Sequence, residues 1–592
     1  MLIIRPKVVN YMDVIPVKEI LLENRLGNPT LNALISNVDT YEVLLLQPHG
    51  DIEADENGVR NRDHTLAINQ YSLFLEDANK KQADLLITPE YSMPWSVLET
   101  VIKEGQGPTN GKLWALGCES IKISELDALK SALDSVATVI YEPLDSFSPK
   151  FVSPLAYVFK APIAANLEES RTVILVQFKT EAMGDVDHFE NIGMQKGTHL
   201  YLFGGDDASI KLVSLICADA FGFEDTIAKK IHDRALILHI QLNPNPRHES
   251  FLACRSNLLR YSRDETEILC INWASDVIME INGQDKSWKT IAGSAWYLKT
   301  KDFDESDHRL CANHRLGLYY TYLQPHRSHA LFFNYEPATF LLTATKVAHI
   351  GVPGSASKRT GPRLTRTCTW NNEANKWIVL DAVDDGFSTL VDEGIDAQSA
   401  IKQIADTNPF NAERIMALSS GEINKNRWYE VKSLDSCVIE LPEVVRRITF
   451  AQDMHEDAIK FRTSRLQRFS RLWNIIEQND LPPSINDLKG DFEFQWSPNN
   501  PQQNIKSSIE KYATVIYVGE DSTIPQIEKT VTRVNSFIYE SSSDINQCIS
   551  AQQRFHIWYR DNNDQIVLYE PHRNLNYDQT GDESPVDIGR EQ

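Results

Sequence analysis

The sequence predicts an α/β fold, with sheets and helices alternating over residues 1–345 and a mixed α+β region after them. Three observations predict it. Apolar runs of strand length recur through the first half, helical apolar stripes lie between them, and the texture changes at the Gly/Pro/Ser/Lys segment GVPGSASKRTGPR (351–363). With 592 residues, 42% hydrophobic and 24% charged, the chain can bury a sizeable core and is long enough for two to four domains.

The first unit of pattern is β-α-β. EVLLLQ (42–47) is an apolar run suited to a buried strand. Residues 65–81 carry Leu66, Ile68, Tyr71, Leu73, Phe74, Leu75 and Ala78 in a helical stripe, and ADLLITPE (83–90) is a second buried strand. Further strands are expected at 112–119, 172–179, 209–219, 234–242, 267–274 and 291–299, with helices near 121–135, 224–233 and 249–264. The first domain boundary is placed near residue 345. Residues 346–480 form a mixed region with short strands (TCTW, KWIVLDAV, SCVIELP), a helix at 397–406 and a longer one at 451–478. After Pro482 and Pro483 and the stretch WSPNNPQQN (496–504), residues 481–592 read as a small α/β region with strands ATVIYVG and RFHIWYR and a polar tail from 573.

Composition narrows the function. Lys and Arg number 59 against 82 Asp and Glu, a formal charge of −23 that opposes general attraction to nucleic acid or anionic lipid. No apolar run reaches signal-peptide or membrane-spanning length, so no membrane partner is expected. The eight cysteines form no CxxC pair, which suits a reducing, cytoplasmic setting. No metal or cofactor is expected. His248-Glu249 lacks the second His of HExxH, His455-Glu456-Asp457 lacks distant partners, and the 351–360 loop has Ala356 where a phosphate-binding loop needs Gly.

Three expected strand ends carry a carboxylate, a thiol and an amine: Glu90 in LLITPEYSMP, Cys217 in LVSLICADAF and Lys179 in VILVQFKTE. A parallel layered sheet would deliver all three to one rim, where α/β folds build their sites. The chemistry needs these types. A thiol with a pKa of about 8.5 is mostly protonated at neutral pH, so a base must take its proton as it attacks. Negative charge then develops on the attacked group, where an ammonium and backbone N–H donors can stabilise it.

Together these segments resemble the nitrilase, or carbon-nitrogen hydrolase, superfamily over roughly residues 40–340. ADLLITPEYSMP is similar to the family's Pro-Glu strand, VQFKT to its lysine strand and LICADAFGFE to its nucleophile elbow, with Asp219 and Glu224 matching and Phe221 where many members have Arg. LLRYSRDETEILCINWA resembles the helix and strand that end in Asn, here Asn272, and AGSAW the family's Gly-x-Ser strand. The resemblance implies a nitrilase-like α-β-β-α sandwich over 1–345. It also implies Glu90 as base, Lys179 as stabiliser, Cys217 as nucleophile, Glu190 as a second glutamate bracing the site and the Ala218 amide as donor. Lys196 competes for the lysine role, but Gly197 sits at the family's turn glycine, which favours Lys179.

The expected activity is that of a cysteine-dependent amidohydrolase acting on a small amide, nitrile or carbamoyl substrate, in a homodimer or larger assembly. The alternative is a nitrilase-like sensor or scaffold whose C-terminal region binds a partner. An ammonia-feeding role in an attached NAD synthetase would require an SGGxDS loop, which SSGEIN (419–424) does not supply. Residues 346–592 resemble no family. Within them, 458–474 carries Lys460, Arg462, Arg465, Arg468 and Arg471 beside an apolar stripe, read as a packed helix with a solvated basic face or as a docking surface for nucleic acid or an acidic partner.

Overall fold

The computed structural model describes residues 12–36, 40–184, 186, 188–205, 210–231, 234–261, 266–281, 283–288, 293–300, 303–346, 361–423, 427–434, 436–437, 443–520 and 522–570. The basic loop expected at 351–360, the end of SCVIELP and the polar tail lie outside them. The chain divides into two compact units, Met1–Leu390 with Asp435–Lys460, and Val391–Leu434 with Phe461–Gln592.

The first unit is mixed α/β and holds two large sheets. The nine-stranded sheet runs in the order Lys376–Leu380, Arg363–Asn371, Ala338–Thr345, Thr40–Gln47, Leu85–Met93, Leu113–Cys118, Pro154–Ile163, Asn166–Phe178 and Ala137–Tyr141. The seven-stranded sheet runs Lys211–Ile216, Ala235–Ile240, Thr266–Ile271, Ala295–Lys299, Ser328–Phe333, Leu318–Leu323 and Ser436–Cys437. This division departs from the boundaries expected at 345 and 480. Arg363–Asn371 pairs antiparallel with Ala338–Thr345, so the sheet continues through the region expected to begin a new domain. The segment after Asp435 returns to the first unit, where Ser436–Cys437 pairs with Leu318–Leu323 and Glu443 meets Arg255 at 3.0 Å.

Each sheet has its own helices. His64–Lys81 begins where the Asp63 side chain accepts from the Leu66 amide at 2.9 Å and ends at Gln82 in the left-handed region, with Lys80 and Lys81 in its last turn. It packs Ala67, Tyr71, Phe74, Leu75 and Ala78 with Trp95–Lys103 and Ile123–Leu133 against one face of the nine-stranded sheet, which presents Leu44, Leu86, Leu116, Ala156, Ile174 and Val176. Asp225–Ile231 and Glu249–Tyr261 pack on the seven-stranded sheet over Val213, Leu215, Ile237, Ile268 and Cys270. Strand side chains alternate between faces, so Gln177 and Ser214 point away from those helices. Gln177 Nε2 donates to the Ser214 carbonyl at 2.9 Å, linking the two sheets. Lys179, two residues beyond Gln177, continues that same inner row.

Glu90 reaches this inner space by a different route. Between the pairs Thr88↔Leu116 and Met93↔Cys118 the Glu90 strand advances five residues while its neighbour advances two, a bulge that re-aims its side chains. Tyr91 sits at φ +57 inside it. Ser92 Oγ lies 2.7 Å from the Pro89 carbonyl and 3.1 Å from that of Gly117, and the Gly117 amide donates to Thr88 Oγ1 at 3.0 Å. The displaced backbone is thus hydrogen-bonded rather than orphaned. Gly117 is required for this approach, because a Cβ there would lie 2.0 Å from the Pro89 carbonyl oxygen and 2.9 Å from Glu90 Cα.

The second unit is built on a five-stranded sheet ordered Phe492–Phe494, Ile505–Ser507, Tyr512–Tyr517, Phe555–Arg560 and Ile566–Leu568. Tyr512–Tyr517 and Phe555–Arg560 are parallel, with the helices Ile524–Ser541 and Ile545–Gln553 between them in sequence. Asn408 caps Pro409–Ser419 and closes Asp396–Thr407. From Phe461 onward the long helix Glu456–Gln478 belongs to this unit, and its basic run is not solvated throughout. Arg462 and Arg465 are buried, and Arg465 is held by Glu422 at 2.6 Å and by Glu413 at 3.5 Å. Those internal carboxylates supply the countercharge that burial of a guanidinium demands.

Gly117→Ala is expected to destabilise the protein by about 2–3 kcal/mol, since the bulge must move to admit one methyl group. Urea unfolding measures it. An unchanged midpoint would mean that the bulge does not depend on this close approach.

Candidate active site

The elements converge on one buried cluster. Lys179 follows the last residue of the strand Asn166–Phe178, and its backbone is fixed on both sides: its amide donates to the Ser153 carbonyl and its carbonyl accepts from the Gly197 amide, each at 2.9 Å. Its ammonium is fully buried and touches two carboxylates, Glu90 Oε1 at 2.8 Å and Glu190 Oε1 and Oε2 at 2.7 and 2.8 Å. Both carboxylates have further donors. Ser153 Oγ donates to Glu90 Oε1 at 3.2 Å and the Leu242 amide to Glu90 Oε2 at 3.1 Å. Tyr91 Oη donates to Glu190 Oε1 at 3.0 Å and the Met183 amide to Oε2 at 2.7 Å.

Cys217 enters from the other sheet. It opens the short 3-10 turn Cys217–Phe221 directly after the strand Lys211–Ile216, at φ +43, a conformation that costs a non-glycine residue roughly 1–2 kcal/mol. The turn is over-determined by its neighbours. Asp219 accepts from the Ile216 amide at 2.9 Å and, across the sheets, from the Thr180 amide at 2.7 Å and Thr180 Oγ1 at 2.9 Å. Asp219 therefore ties the end of the lysine strand to the cysteine turn. The Cys217 carbonyl meets His239 Nε2 at 3.0 Å, and Gln241 Nε2 lies 2.9 Å from His239 Nδ1. Burial lowers the His239 pKa to about 4, so the ring is neutral, donating from Nε2 and accepting at Nδ1.

The Cys217 thiol feels the charges of Glu90, Lys179 and Glu190, and Glu90 itself is held by the Leu242 amide at 3.1 Å. The Leu242 turn is pinned by Asn272, whose Oδ1 accepts from the Asn243 amide at 3.0 Å and whose Nδ2 donates to the Asn243 carbonyl at 2.8 Å. Asn272 in turn donates its own amide to Ser294 Oγ at 3.0 Å. Trp273 Nε1 donates to the Glu90 carbonyl at 2.8 Å.

The electrostatics separates the two glutamates. Burial pushes Glu90 up to about 7, although Lys179 pulls the other way. Burial also works to raise Glu190, but two bonds to Lys179 outweigh it and hold that carboxyl below its usual range. Burial disfavours the Lys179 ammonium, and the charges of Glu190 and Glu90 more than compensate, so its pKa lies well above the ordinary value. Burial drives the Cys217 thiol well up, Glu90 adding to the effect and Lys179 opposing it. The resting cluster thus has one firm ion pair, Lys179 with Glu190, and one carboxyl poised to exchange a proton near neutrality.

Of the residues singled out from sequence, Glu90, Lys179 and Glu190 meet in one hydrogen-bonded cluster, Cys217 interacts with their charges, and Ala218 follows Cys217 in the turn; all five are buried. Lys196 does not join them. Its ammonium pairs with Glu181 at 2.8 Å, while a Cβ on Gly197 would lie 2.5 Å from Glu142 Oε1, consistent with a turn that demands glycine. Phe221 is 42% exposed, with its ring 5.0 Å from that of Phe251. Ser153, His239, Gln241 and the Leu242 amide were not anticipated. Two of them act through backbone or a lone hydroxyl, which leaves no pattern in a sequence, but His239 and Gln241 alternate along an apolar strand and were visible there as buried polar residues. Among the described residues no group of three or more His, Cys, Asp or Glu side chains could hold a metal ion, and no helix is long and apolar enough to cross a membrane.

No protein-family model matches this chain, and no curated protein matches it. Among solved structures it is similar to a glutamine-dependent NAD+ synthetase from Acinetobacter baumannii, at 12% identity and a TM-score of 0.29, covering 54% of this chain and 49% of the synthetase. It thus spans about half the synthetase's length. An amidase from Nesterenkonia sp. matches at 13% identity and a TM-score of 0.28, over 52% of this chain and 92% of the amidase. A cysteine mutant of the amidase from Nesterenkonia AN1, described as belonging to the nitrilase superfamily, matches at 12% identity and a TM-score of 0.25, over 43% and 83%. The solved structures it is similar to therefore include nitrilase-superfamily amidases and a glutamine-dependent synthetase.

Proposed function

We propose that this chain is a cysteine-dependent amidohydrolase that cleaves a non-peptide C–N bond through a thioester. The observation that supports it most is the buried Glu90–Lys179–Glu190 cluster, whose charges act on a buried cysteine held at positive φ. A structural ion pair needs no nucleophile beside it, and a structural cysteine needs no strained turn. The helix layers over two hydrogen-bonded sheets fit a nitrilase-like α-β-β-α sandwich.

In this reading Glu90 takes the Cys217 proton as sulfur attacks the carbonyl or nitrile carbon. Negative charge collects on the attacked oxygen or nitrogen, where the Lys179 ammonium and the Ala218 amide stabilise it. With an amide, Glu90 returns the proton to the departing nitrogen and ammonia or an amine leaves a thioester on Cys217; with a nitrile, the thioimidate first formed adds one water and then loses ammonia to give the same thioester. Water, deprotonated by Glu90, then attacks the thioester, and the carboxylic acid departs as the thiol is restored. Glu190 neutralises Lys179, so Glu90 is not locked in its ion pair and can titrate. Asp219 and His239 hold the turn. Phe221, exposed at the mouth of that turn where Arg is common in the family, makes an apolar contact for substrate. The same reading carries the homodimer or larger assembly implied by the family resemblance and the reducing, cytoplasmic setting expected from the cysteine pattern.

One observation favours the sensor or scaffold reading instead: Cys217 is only 1% exposed and Lys179 0%. A site closed this tightly turns over only if it opens. Hydrolysis of an amide and nitrile panel separates the two. Cys217→Ala is expected to abolish turnover and Glu90→Gln to lower kcat at least a hundredfold; undiminished turnover in Cys217→Ala contradicts the proposal.

The pH dependence is set by Glu90. The carboxylate form is the active one, so kcat/KM is expected to rise about tenfold per pH unit up to about 7 and to level off above it. A profile flat from pH 5 to 8 would remove Glu90 as the base. Stability runs in the opposite sense. The folded state raises this pKa above 4.5, so the contribution of the group is complete below that value and is lost as pH rises through about 7. Glu90→Gln is expected to melt above wild type at pH 8.5, with the two converging near pH 4.5 in a thermal series.

A further inference from the structure

The second unit contains a cavity of about 980 Å³, at the upper end of the size that encloses small-molecule ligands. It opens at the carboxyl end of the strand Tyr512–Tyr517, the edge where parallel α/β sheets receive ligands. The loop Val518–Gly519–Glu520 lines it and leads to the helix Ile524–Ser541, begun by Thr523 with Gln526 Oε1 accepting from the Thr523 amide at 2.8 Å. Gly519 has φ +104, and a Cβ there would press on Arg468 at 3.3 Å, so the glycine lets that guanidinium lie over the loop.

The walls are basic in a chain whose net charge is −23. Arg468, Arg471, Lys529 and Arg533 face the cavity against one described carboxylate, Glu520, which is already paired with Arg560 at 3.0 Å. Arg468 is anchored by Glu422, while Arg471 and Lys529 are exposed and have no ion-pair partner among the described residues. A second, independent feature points to a ligand. Ser420 lines the cavity at 4% exposure with its hydroxyl unpartnered, and the buried Ser470 hydroxyl is likewise unpartnered. An unpartnered buried hydroxyl costs about 1–3 kcal/mol until something bonds it, and these two line the wall of an open cavity where a ligand could do so. Guanidinium forks, an ammonium, hydroxyl donors and a helix start together suit an oxyanion bearing several charges.

We propose that this cavity binds a small phosphate-bearing ligand with at least two negative charges. The phosphates would sit among Arg471, Lys529 and Ser420, and the remaining volume would accept an organic group. This assignment is independent of the hydrolase reading, since none of these residues belongs to the Cys217 site.

Isothermal titration of the full chain with inorganic pyrophosphate and with tripolyphosphate tests it, with citrate and a single-stranded oligonucleotide as the other arms. The expected result is micromolar binding of the phosphates, weakened at least tenfold in the double variant Arg471→Ala, Lys529→Ala, whose exposed side chains contribute little to folding. Ser420→Ala provides a second readout of opposite sign. It should leave the ligand-free melting temperature equal or higher, because an unpartnered hydroxyl is gone, while reducing the stabilisation given by pyrophosphate. Phosphate binding that the double variant leaves unchanged overturns the proposal, as does the absence of binding below millimolar concentration. Citrate binding tighter than either phosphate overturns the phosphate assignment, and oligonucleotide binding that exceeds them and is lost in the double variant reassigns the cavity to a polymer.

Discussion

Burial of the Lys179 ammonium between two carboxylates is the constraint on which the rest of the first unit depends. An ion taken out of water carries a desolvation cost of several kcal/mol, and its partners recover this only when geometry and remaining hydrogen bonds are complete. Here they are complete. Glu90 accepts from Ser153 and the Leu242 amide, and Glu190 from Tyr91 and the Met183 amide. The elements that carry these groups have supports of their own. Gly117 admits the bulge that carries Glu90, Asn272 pins the turn that carries Leu242, and Asp219 ties the lysine strand to the cysteine turn. Removing any one leaves a buried charge short of a partner, so the cluster is coupled across elements far apart in sequence.

The same arrangement divides labour between like side chains. Glu190 and Glu90 both touch Lys179, yet the first makes two bonds to it and stays ionised while the second makes one and titrates near neutrality. That division leaves one carboxyl that titrates near neutrality, at some cost to stability when it ionises. The long basic helix shows a parallel division. Arg465 turns inward to Glu413 and Glu422, whereas Arg471 faces a cavity. Charge runs that look uniform in sequence can serve two environments, because successive residues lie about 100° apart around the helix.

Much of the candidate site was legible before the fold. Glu90, Lys179 and Cys217 each end an apolar run in the sequence; Lys179 and Cys217 do follow strand ends, while Glu90 lies within Leu85–Met93 and is aimed by its bulge, which the sequence does not announce. Glu190 and Ala218 followed from the family resemblance. The helices at 64–81, 249–261 and 396–407 carried clear apolar stripes. The parts that remained hidden have physical reasons. The Leu242 amide and the Gly117 approach are backbone features with no side-chain signature. The hairpin Pro154–Ile163 with Asn166–Phe178 has an exposed, charged tip, NLEESR, that masks strand character where the first residues leave the core. Helix Pro409–Ser419 is buried almost all round and so lacks an amphipathic period. The unit boundary escaped because pairing of Arg363–Asn371 with Ala338–Thr345 is non-local in information even though short in sequence.

The central claim is that Cys217 forms a covalent acyl intermediate beside Glu90 and Lys179. Intact-mass spectrometry of the wild-type chain after exposure to a pool of amides, nitriles and carbamoyl compounds, followed by peptide mapping, tests it most directly. The account predicts a mass increase equal to an acyl group, confined to the Cys217 peptide, removed by hydroxylamine and absent from Cys217→Ala. An adduct of the same mass on Cys217→Ala, or turnover of a pool member by wild type with the adduct on a different residue, would contradict it.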